Sequence, residues 1–118
     1  MEFCYLPQFS AFGKTLFSQQ QVRHTLAEVK TDCMIMRALT DKLIEAYAND
    51  DMDQQSVSMA KWWTSEKLIE NVTKCQQLFG GYGFMEEYPI SHIFTGARVE
   101  SIYGGTTEIM KEIISKSI

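Results

Sequence analysis

The chain has 118 residues, the length of a single domain. Fifteen Asp and Glu outnumber eleven Lys and Arg, and the net charge of −4 argues against a surface for nucleic acid or anionic membrane, since both need clustered positive charge. Three widely spaced cysteines with no Cys-x-x-Cys pair predict neither a disulfide framework nor a zinc site. No run approaches the roughly 18 apolar residues of a membrane span. We also expect no targeting signal, because the first residues lack the pattern of a signal or transit peptide.

A long amphipathic helix is the first predicted element. No glycine or proline occurs from Lys14 to Phe79, and such a gap favours long helices. Apolar residues recur at alternating spacings of four and three, which predicts a helix from about Gln19 to Tyr47. The seam consists of Val22, Leu26, Val29, Cys33, Met36, Leu43 and Tyr47.

A second long helix follows a polar turn. Asp51 and Gln54 have the spacing of a capping box, which predicts a helix from about Gln54 to Phe79. Its apolar stripe consists of Val57, Ala60, Leu68, Val72, Cys75 and Phe79. Because the turn is short, the two long helices should be antiparallel neighbours.

Two glycine-rich segments divide the rest of the chain. Gly80–Gly83 should end the second helix, and a short helix is predicted from about Ile90 to Arg98. After Gly104–Gly105 a last helix should run from about Thr106 to Lys116, with Thr106 as its N-cap. The predicted fold is all-α, an antiparallel helical bundle with two long and two short helices.

The unequal helix lengths predict an uncovered apolar face. Each long helix should extend about 40 Å, and the two short helices cannot cover both. We expect Val22, Val29 and Met36 to need cover from a second chain or from a missing element. The isolated chain should therefore be a dimer or tetramer, or be marginally stable.

Candidate chemistry is sparse when judged from residue types alone. His24 and His92 have no Cys, Asp or Glu at metal-ligand spacing, so we expect no metal site and assign both to surface or packing roles. Gly80–Gly83 and Ile102–Thr106 could each let backbone approach a phosphate closely, or could simply turn the chain. Two such loops beside helix ends favour a ligand site more than either does alone, but the residues leave both alternatives open.

These segments resemble the C-terminal helical domain of the acyl-CoA dehydrogenases, in particular the long-chain type. The motifs that carry the resemblance are Ala11–Lys14, Leu26–Glu28, Gln77–Phe84, Glu86–Ile90, Ala97–Val99 and Ile102–Lys111. Order and spacing agree from about Phe9 to the end. The predicted domain is therefore 9–118, preceded by an unmatched segment 1–8, and the first helix of the family's domain is expected to be absent from this chain.

The resemblance implies a flavoenzyme that dehydrogenates acyl-CoA thioesters between the α and β carbons, with FAD bound across a dimer interface. The segment that matches Gln77–Gly81 holds the adenine-diphosphate part of FAD from the neighbouring subunit, and Thr106 and Glu108 match a further FAD contact. The implied cofactor-binding residues are Gln20, Gln77, Gly80, Gly81, Thr106 and Glu108. Gly105 matches a residue beside the substrate.

Three departures from the family pattern bear on activity. Gly104 stands where many members have the catalytic Glu, so no catalytic residue is assigned; long-chain members take their base from the preceding helix. Phe9 replaces an arginine that pairs with the FAD diphosphate, a charge-assisted contact of about 1.5–3 kcal/mol. Gly96 replaces the usual Asp before Ala97 and Arg98.

Two hypotheses follow. The chain is either the FAD-binding and oligomerisation domain of such an enzyme, inactive by itself, or a non-catalytic module that associates with itself or with full-length relatives. On the first, FAD binding by the isolated chain is weak or absent, and acyl-CoA binds only in a complete enzyme. The expected location is the mitochondrial matrix in a eukaryote or the cytoplasm in a bacterium.

Overall fold

The computed structural model describes residues 10–11, 13–116 and 118. The described part of the chain begins with a hairpin of two antiparallel strands, each two residues long, and a 3₁₀ turn. Four α-helices follow, two long and two short, with a second 3₁₀ turn after the second helix. The elements are β1 (Ser10–Ala11), β2 (Lys14–Thr15), a 3₁₀ turn (Leu16–Ser18), α1 (Gln20–Ala48), α2 (Gln54–Leu78), a 3₁₀ turn (Gly80–Phe84), α3 (Pro89–Glu100) and α4 (Thr107–Ser115). The all-α prediction is confirmed. Across the described residues, no helix has the length and apolar character needed to cross a membrane.

Ion pairs between the long helices show their antiparallel arrangement. Glu28, early in α1, accepts a hydrogen bond from Lys74 Nζ, late in α2, at 3.2 Å, and Asp32 lies 3.8 Å from Lys67 Nζ. Glu70 lies between the two lysines, at 2.8 Å from Lys67 Nζ and 3.0 Å from Lys74 Nζ. These hydrogen bonds lower the pKa of the Glu70 carboxyl group and raise the pKa of both lysines.

The core lies around the middle and the carboxyl-terminal half of α2. Its buried residues come from α1, α2 and α3: Val29, Val72, Cys75, Ile90 and Ala97. The partly buried residues packed against them are Cys33, Leu68, Ile69, Phe79, Tyr88 and Phe94. Burial raises the pKa of the Cys75 thiol, so this cysteine acts as a small apolar core residue.

The apolar face of α1 differs from the one predicted. Val22 and Val29 are buried within the chain and Met36 is partly buried, so the expectation that these residues need outside cover is wrong for the two valines. Tyr47 and Val57, placed on apolar stripes by their spacing, are 69% and 37% exposed. The physical reason is that α1 packs mainly against α2, whereas α3 and α4 cover other sides of α2. The large apolar residues exposed on α1 are Met34, Ile35, Ile44 and Tyr47.

The helix caps agree with the sequence at one position and differ at another. Thr106 is the N-cap of α4, as predicted, and its Oγ1 accepts a hydrogen bond from Ile109 N at 3.3 Å. The N-cap of α2 is Asp53 and not Asp51, because Asp53 Oδ1 accepts from Ser56 N at 2.7 Å. The backbone N–H of Asp51 instead donates to Ala46 O and closes the end of α1.

One buried polar side chain in α2 has no partner. Asn71 is 2% exposed, and neither its Oδ1 nor its Nδ2 has a hydrogen-bond partner among the residues that the structure describes. Lys67 and Lys74, four residues before and three after it, both reach carboxylates of α1. Asn71 therefore shares their side of α2, which faces α1.

Candidate functional site

A cleft of about 360 Å³ opens where α2, the end of α3 and the start of α4 meet. Its lining residues are Glu66, Ile69, Arg98, Ser101, Ile102, Thr106, Thr107 and Glu108. Two of the residues that the resemblance assigns to the cofactor, Thr106 and Glu108, therefore lie in one cleft beside the guanidinium of Arg98. Arg98 Nη1 donates to Ser101 Oγ at 2.7 Å, which holds the side chain at the rim.

The first turn of α4 shapes the chemistry of this cleft. Hydrogen bonds from the backbone of Glu108 and from Thr106, together with the charges of Lys111 and Arg98, lower the pKa of the Glu108 carboxyl group. Glu108 is therefore a carboxylate at neutral pH, in the first turn where the helix dipole favours negative charge. A hydroxyl, a guanidinium and a carboxylate thus line the cleft around a helix N-terminus, which suits a ligand with several polar groups.

Two side chains of α2 that the sequence did not indicate hold the loop before α4 and the first residue of α4. Lys61 Nζ donates to Glu100 O at 2.7 Å and to Gly105 O at 2.6 Å. Thr107 Oγ1 donates to Glu66 Oε1 at 2.7 Å, and Thr107 is buried. Lys61 and Glu66 belong to no motif, and their partners lie about 40 residues away in sequence, so no local signal could have found them.

The glycine pair in this loop has a backbone that side chains rarely adopt. Gly104 and Gly105 have φ angles of +64° and +97°. A Cβ on Gly105 would collide with the side chain of Met110, whereas open space surrounds the Cβ position of Gly104. A Glu at position 104 would have room, but its backbone would be strained by about 1–2 kcal/mol. Gly104 itself offers no group that could accept a proton.

The second predicted loop lies at the carboxyl end of α2. Gln77 is exposed there, and Gly80 and Gly81 follow in an exposed turn in which Gly80 has a φ of +57°. Apart from each glycine and its chain neighbours, no residue has an atom within 4 Å of either Cβ position, so this backbone is open to close approach by a ligand. Gly83 is buried instead, and its carbonyl oxygen accepts from Gln76 Nε2 at 2.9 Å.

The described residues bring the predicted site residues together in two groups and not in one. Gln20 begins α1, which is antiparallel to α2, so it lies at the same end of the helix pair as Gln77 and Gly80. Thr106 and Glu108 lie near Glu66, and the eleven residues from Glu66 to Gln77 span about 16 Å along α2. One group lies at the end of α2 and the other beside its middle.

The remaining sequence expectations are partly outside the described residues. Phe9, residues 1–8 and Phe12 are not described. Gly96 is exposed on α3, and His92 Nε2 lies 2.9 Å from Glu86 O. Throughout the part of the chain that is described, no group of three or more His, Cys, Asp and Glu side chains could hold a metal ion.

Comparison with known proteins defines the class. The family model "Acyl-CoA dehydrogenase, C-terminal domain" matches residues 3–118. The long-chain specific mitochondrial acyl-CoA dehydrogenase of Rattus norvegicus is 46% identical over 114 residues, which cover 97% of this chain and 26% of that protein. An acyl-CoA dehydrogenase of Bacillus subtilis is 31% identical over 112 residues, 95% of this chain and 30% of that protein.

Solved structures agree with the sequence relatives. An acyl-CoA dehydrogenase from Geobacillus kaustophilus superimposes with a TM-score of 0.92 and 40% identity, covering 96% of this chain and 30% of that one. Butyryl-CoA dehydrogenase from Megasphaera elsdenii superimposes with a TM-score of 0.91 and 29% identity over the same shares. The chain therefore belongs to the acyl-CoA dehydrogenase family, of which it matches the C-terminal domain. It spans between 26% and 30% of the length of these relatives. The match begins at residue 3, ahead of Phe9, and the domain boundary at that residue stays a prediction.

Proposed function

We propose that this chain is the C-terminal FAD-binding and oligomerisation domain of a flavin-dependent acyl-CoA dehydrogenase. The observation that carries the proposal is the cleft between α2, α3 and α4, which joins Thr106, Glu108 and Arg98 at the N-terminus of a helix. When bound in the complete enzyme, FAD would supply the acceptor for a hydride from the β carbon of an acyl-CoA thioester; Thr106 and Glu108 are the residues of this cleft that would hold it, and the protein would supply position and a base. The mitochondrial matrix is the proposed location in a eukaryote, as the names of the mammalian relatives support, and the cytoplasm in a bacterium.

The residues present fit parts of a flavin nucleotide. The exposed backbone of Gly80 and Gly81 leaves the space that side chains would fill, which allows a diphosphate to approach closely. Gln20 and Gln77 at the same end of the helix pair offer amide groups that can both donate and accept hydrogen bonds. In the cleft between α2, α3 and α4, the hydroxyl of Thr106 and the carboxylate of Glu108 can form hydrogen bonds with polar parts of the cofactor. Gly105 is proposed to lie beside the substrate.

Catalysis by this chain alone is not expected. Gly104 stands at the position of the family's usual base and carries no proton-accepting side chain. Acyl-CoA and a dye acceptor should therefore give no turnover with the purified chain, and acyl-CoA binding belongs to a complete enzyme. Turnover above the rate without protein would contradict this part of the proposal.

Weak cofactor binding is best tested by NMR. Backbone amide shifts of the purified chain should change on titration with FAD at Gln77–Gly81 and at Thr106–Glu108, even where affinity is too weak to retain the flavin. Gly81→Asp, which adds negative charge beside the proposed diphosphate position, should remove the first set of changes. Gln55→Asp, with the same charge at the exposed start of α2, should leave them intact. Shift changes at neither loop at millimolar FAD would count against FAD binding by this chain alone and would favour the second candidate function.

A non-catalytic module is the second candidate function, and the exposed apolar residues of α1 favour it. Ile44 and Tyr47 are three residues apart, share a helix face and are 59% and 69% exposed. Such a module would associate with itself or with full-length relatives, giving a dimer or tetramer by light scattering. The double variant Ile44→Glu with Tyr47→Glu should then shift the mass to a monomer, whereas Ala38→Glu on another face of α1 should not. A monomeric wild-type chain would count against it.

A further inference from the structure

Lys61 links three parts of the chain through one ammonium group. Its Nζ donates to the carbonyl oxygen of Glu100, the last residue of α3, and to that of Gly105, two residues before α4 begins. The loop that these two carbonyls bound contains Gly104 and Gly105, which both have a positive φ. A rigid helix, α2, thereby holds both ends of the loop that enters the candidate cleft.

We propose that Lys61 is the positioning residue that fixes the Gly104–Gly105 turn for its ligand. This inference rests on the proposed function, which places the substrate beside Gly105 and the cofactor at Thr106 and Glu108. A glycine pair is the most flexible dipeptide a loop can contain, so it holds one conformation only when outside contacts define it. Hydrogen bonds from a charged donor are about twice as strong as neutral ones, and Lys61 supplies two.

The hydrogen bond from Lys61 to Gly105 also sets the direction of a backbone amide. In a trans peptide the C=O and N–H groups point in opposite directions. Because the Gly105 carbonyl points at Lys61, the N–H of Thr106 in the same peptide points away from α2. Lys61 thus orients the peptide unit that joins the proposed substrate residue to the proposed cofactor residue.

A separate contact holds α4 itself. The hydrogen bond from Thr107 Oγ1 to Glu66 Oε1 fixes the first turn of α4 to α2. Glu66 lies five residues after Lys61 in α2. Removal of the Lys61 ammonium should therefore loosen the loop 102–106 while α4 stays in place. That difference distinguishes a positioning role from a general contribution to stability.

The test compares three variants by hydrogen exchange of the ligand-free chain. In Lys61→Met, which keeps the length and removes the donors, the amides of Ile102 and Tyr103, which both donate to Val99 O, should exchange about tenfold faster or more, while those of α2 stay within threefold of wild type. Lys61→Arg keeps the donors and should restore slow exchange. Lys67→Met is the matched control, since Lys67 bonds Glu70 and not the loop. Loop amides of Lys61→Met that exchange at the wild-type rate would overturn the proposal.

A measurement on the wild-type chain covers the case in which Lys61→Met does not fold. Ammonium protons held by two carbonyls should exchange slowly enough for a Lys61 Nζ cross-peak to be observed at neutral pH and low temperature. The exposed Lys42 should give none. Absence of the Lys61 signal, under conditions in which Lys67 Nζ is visible, would overturn the proposal without any variant.

FAD titration separates this inference from the proposed function. In Lys61→Met the FAD-induced shifts at Thr106–Glu108 should fall at least threefold, while those at Gln77–Gly81 stay unchanged. Unchanged shifts at both loops would overturn the role of Lys61 and leave the proposed function standing. Faster loop exchange in Lys61→Met, in a chain whose wild type shows no FAD shifts, would support the two hydrogen bonds from Lys61 and count against FAD binding by this chain alone.

Discussion

Replacement of the buried Asn71 by leucine should stabilise the protein. The amide of Asn71 is 2% exposed and has no partner for either polar atom among the described residues. Burial of an amide without hydrogen bonds costs about 1–3 kcal/mol. Asn71→Leu removes both polar atoms and keeps a side chain that branches at Cγ. Leucine also favours the helix more than asparagine by a few tenths of a kcal/mol.

The larger volume of leucine offsets part of this gain, since overpacking costs about 1–3 kcal/mol where a site cannot adjust. We expect a net increase of about 1–2 kcal/mol in the free energy of unfolding, because Asn71 lies on the side of α2 that faces α1 and a shift of α1 would make room for the larger side chain. For a chain of this length each kcal/mol raises Tm by roughly 3–6 °C. Urea unfolding followed by circular dichroism gives the free energy, and a thermal melt gives Tm.

Two further variants make this prediction specific. Asn71→Asp should destabilise the chain by about 1–3 kcal/mol, since it adds the desolvation of a charge at a buried position that Lys67 and Lys74 flank. Asn49→Leu repeats the substitution at an exposed asparagine that caps α1 and bonds Glu45 O, and it should cost no more than about 1 kcal/mol. A loss of 1 kcal/mol or more in Asn71→Leu would refute the reasoning, because it would mean that the amide is hydrogen-bonded in solution or that α1 does not shift to admit the leucine.

Four other predictions follow from single positions. Gly96→Ala should raise stability by about 0.5–1 kcal/mol, since this glycine lies inside α3 with open space at its Cβ position, whereas Gly83→Ala should lower Tm, because its Cβ would stand 2.6 Å from Gln76 O. Stability should fall in acid as Glu70 is protonated, because the pKa of its carboxyl group is lowered in the folded chain from the usual 4.5. The stabilisation by the Glu70 carboxylate is therefore complete above pH 4.5 and is lost as the pH falls through the folded pKa. Tm of Glu70→Gln should therefore depend less on pH between about pH 5 and pH 3 than Tm of wild type. Thr106→Ala should cost about 1 kcal/mol in urea unfolding by removing the cap of α4, and a loss below 0.3 kcal/mol would contradict the capping role.

The helices could be predicted from the sequence because their signals are local. A run without glycine or proline and an apolar period near 3.6 locate α1 and α2, and the glycines at 80 and 104 mark where helices end. The N-cap of α2 could not be chosen in this way, since Asp50, Asp51 and Asp53 are all good caps within four positions. Which aspartate becomes the N-cap depends on which backbone N–H groups already donate to carbonyl oxygens at the end of α1. Asp51 N is one of them, since it donates to Ala46 O.

Apolar periodicity could not show which part of a stripe would be covered. Tyr47 and Val57 keep the spacing of their helices, yet both lie near the turn between α1 and α2. Coverage depends on where the short helices pack, and that is decided by residues 89–115, far along the chain. The same limit explains why buried Ser58, Ser65 and Asn71 on α2 were not predicted, since a polar residue type gives no local sign of burial.

The candidate site shows this division between local and distant information most clearly. Thr106 and Glu108 could be proposed because a cap, a glycine pair and a family motif coincide within a few positions. Lys61 could not, because a lysine in mid-helix predicts a solvated side chain, and its two acceptors are backbone carbonyls, which every residue type carries. Residues that touch a ligand are constrained in type and can form a motif. A residue that holds a loop through its carbonyl oxygens needs only a donor of sufficient reach, so its position becomes visible only in the folded chain.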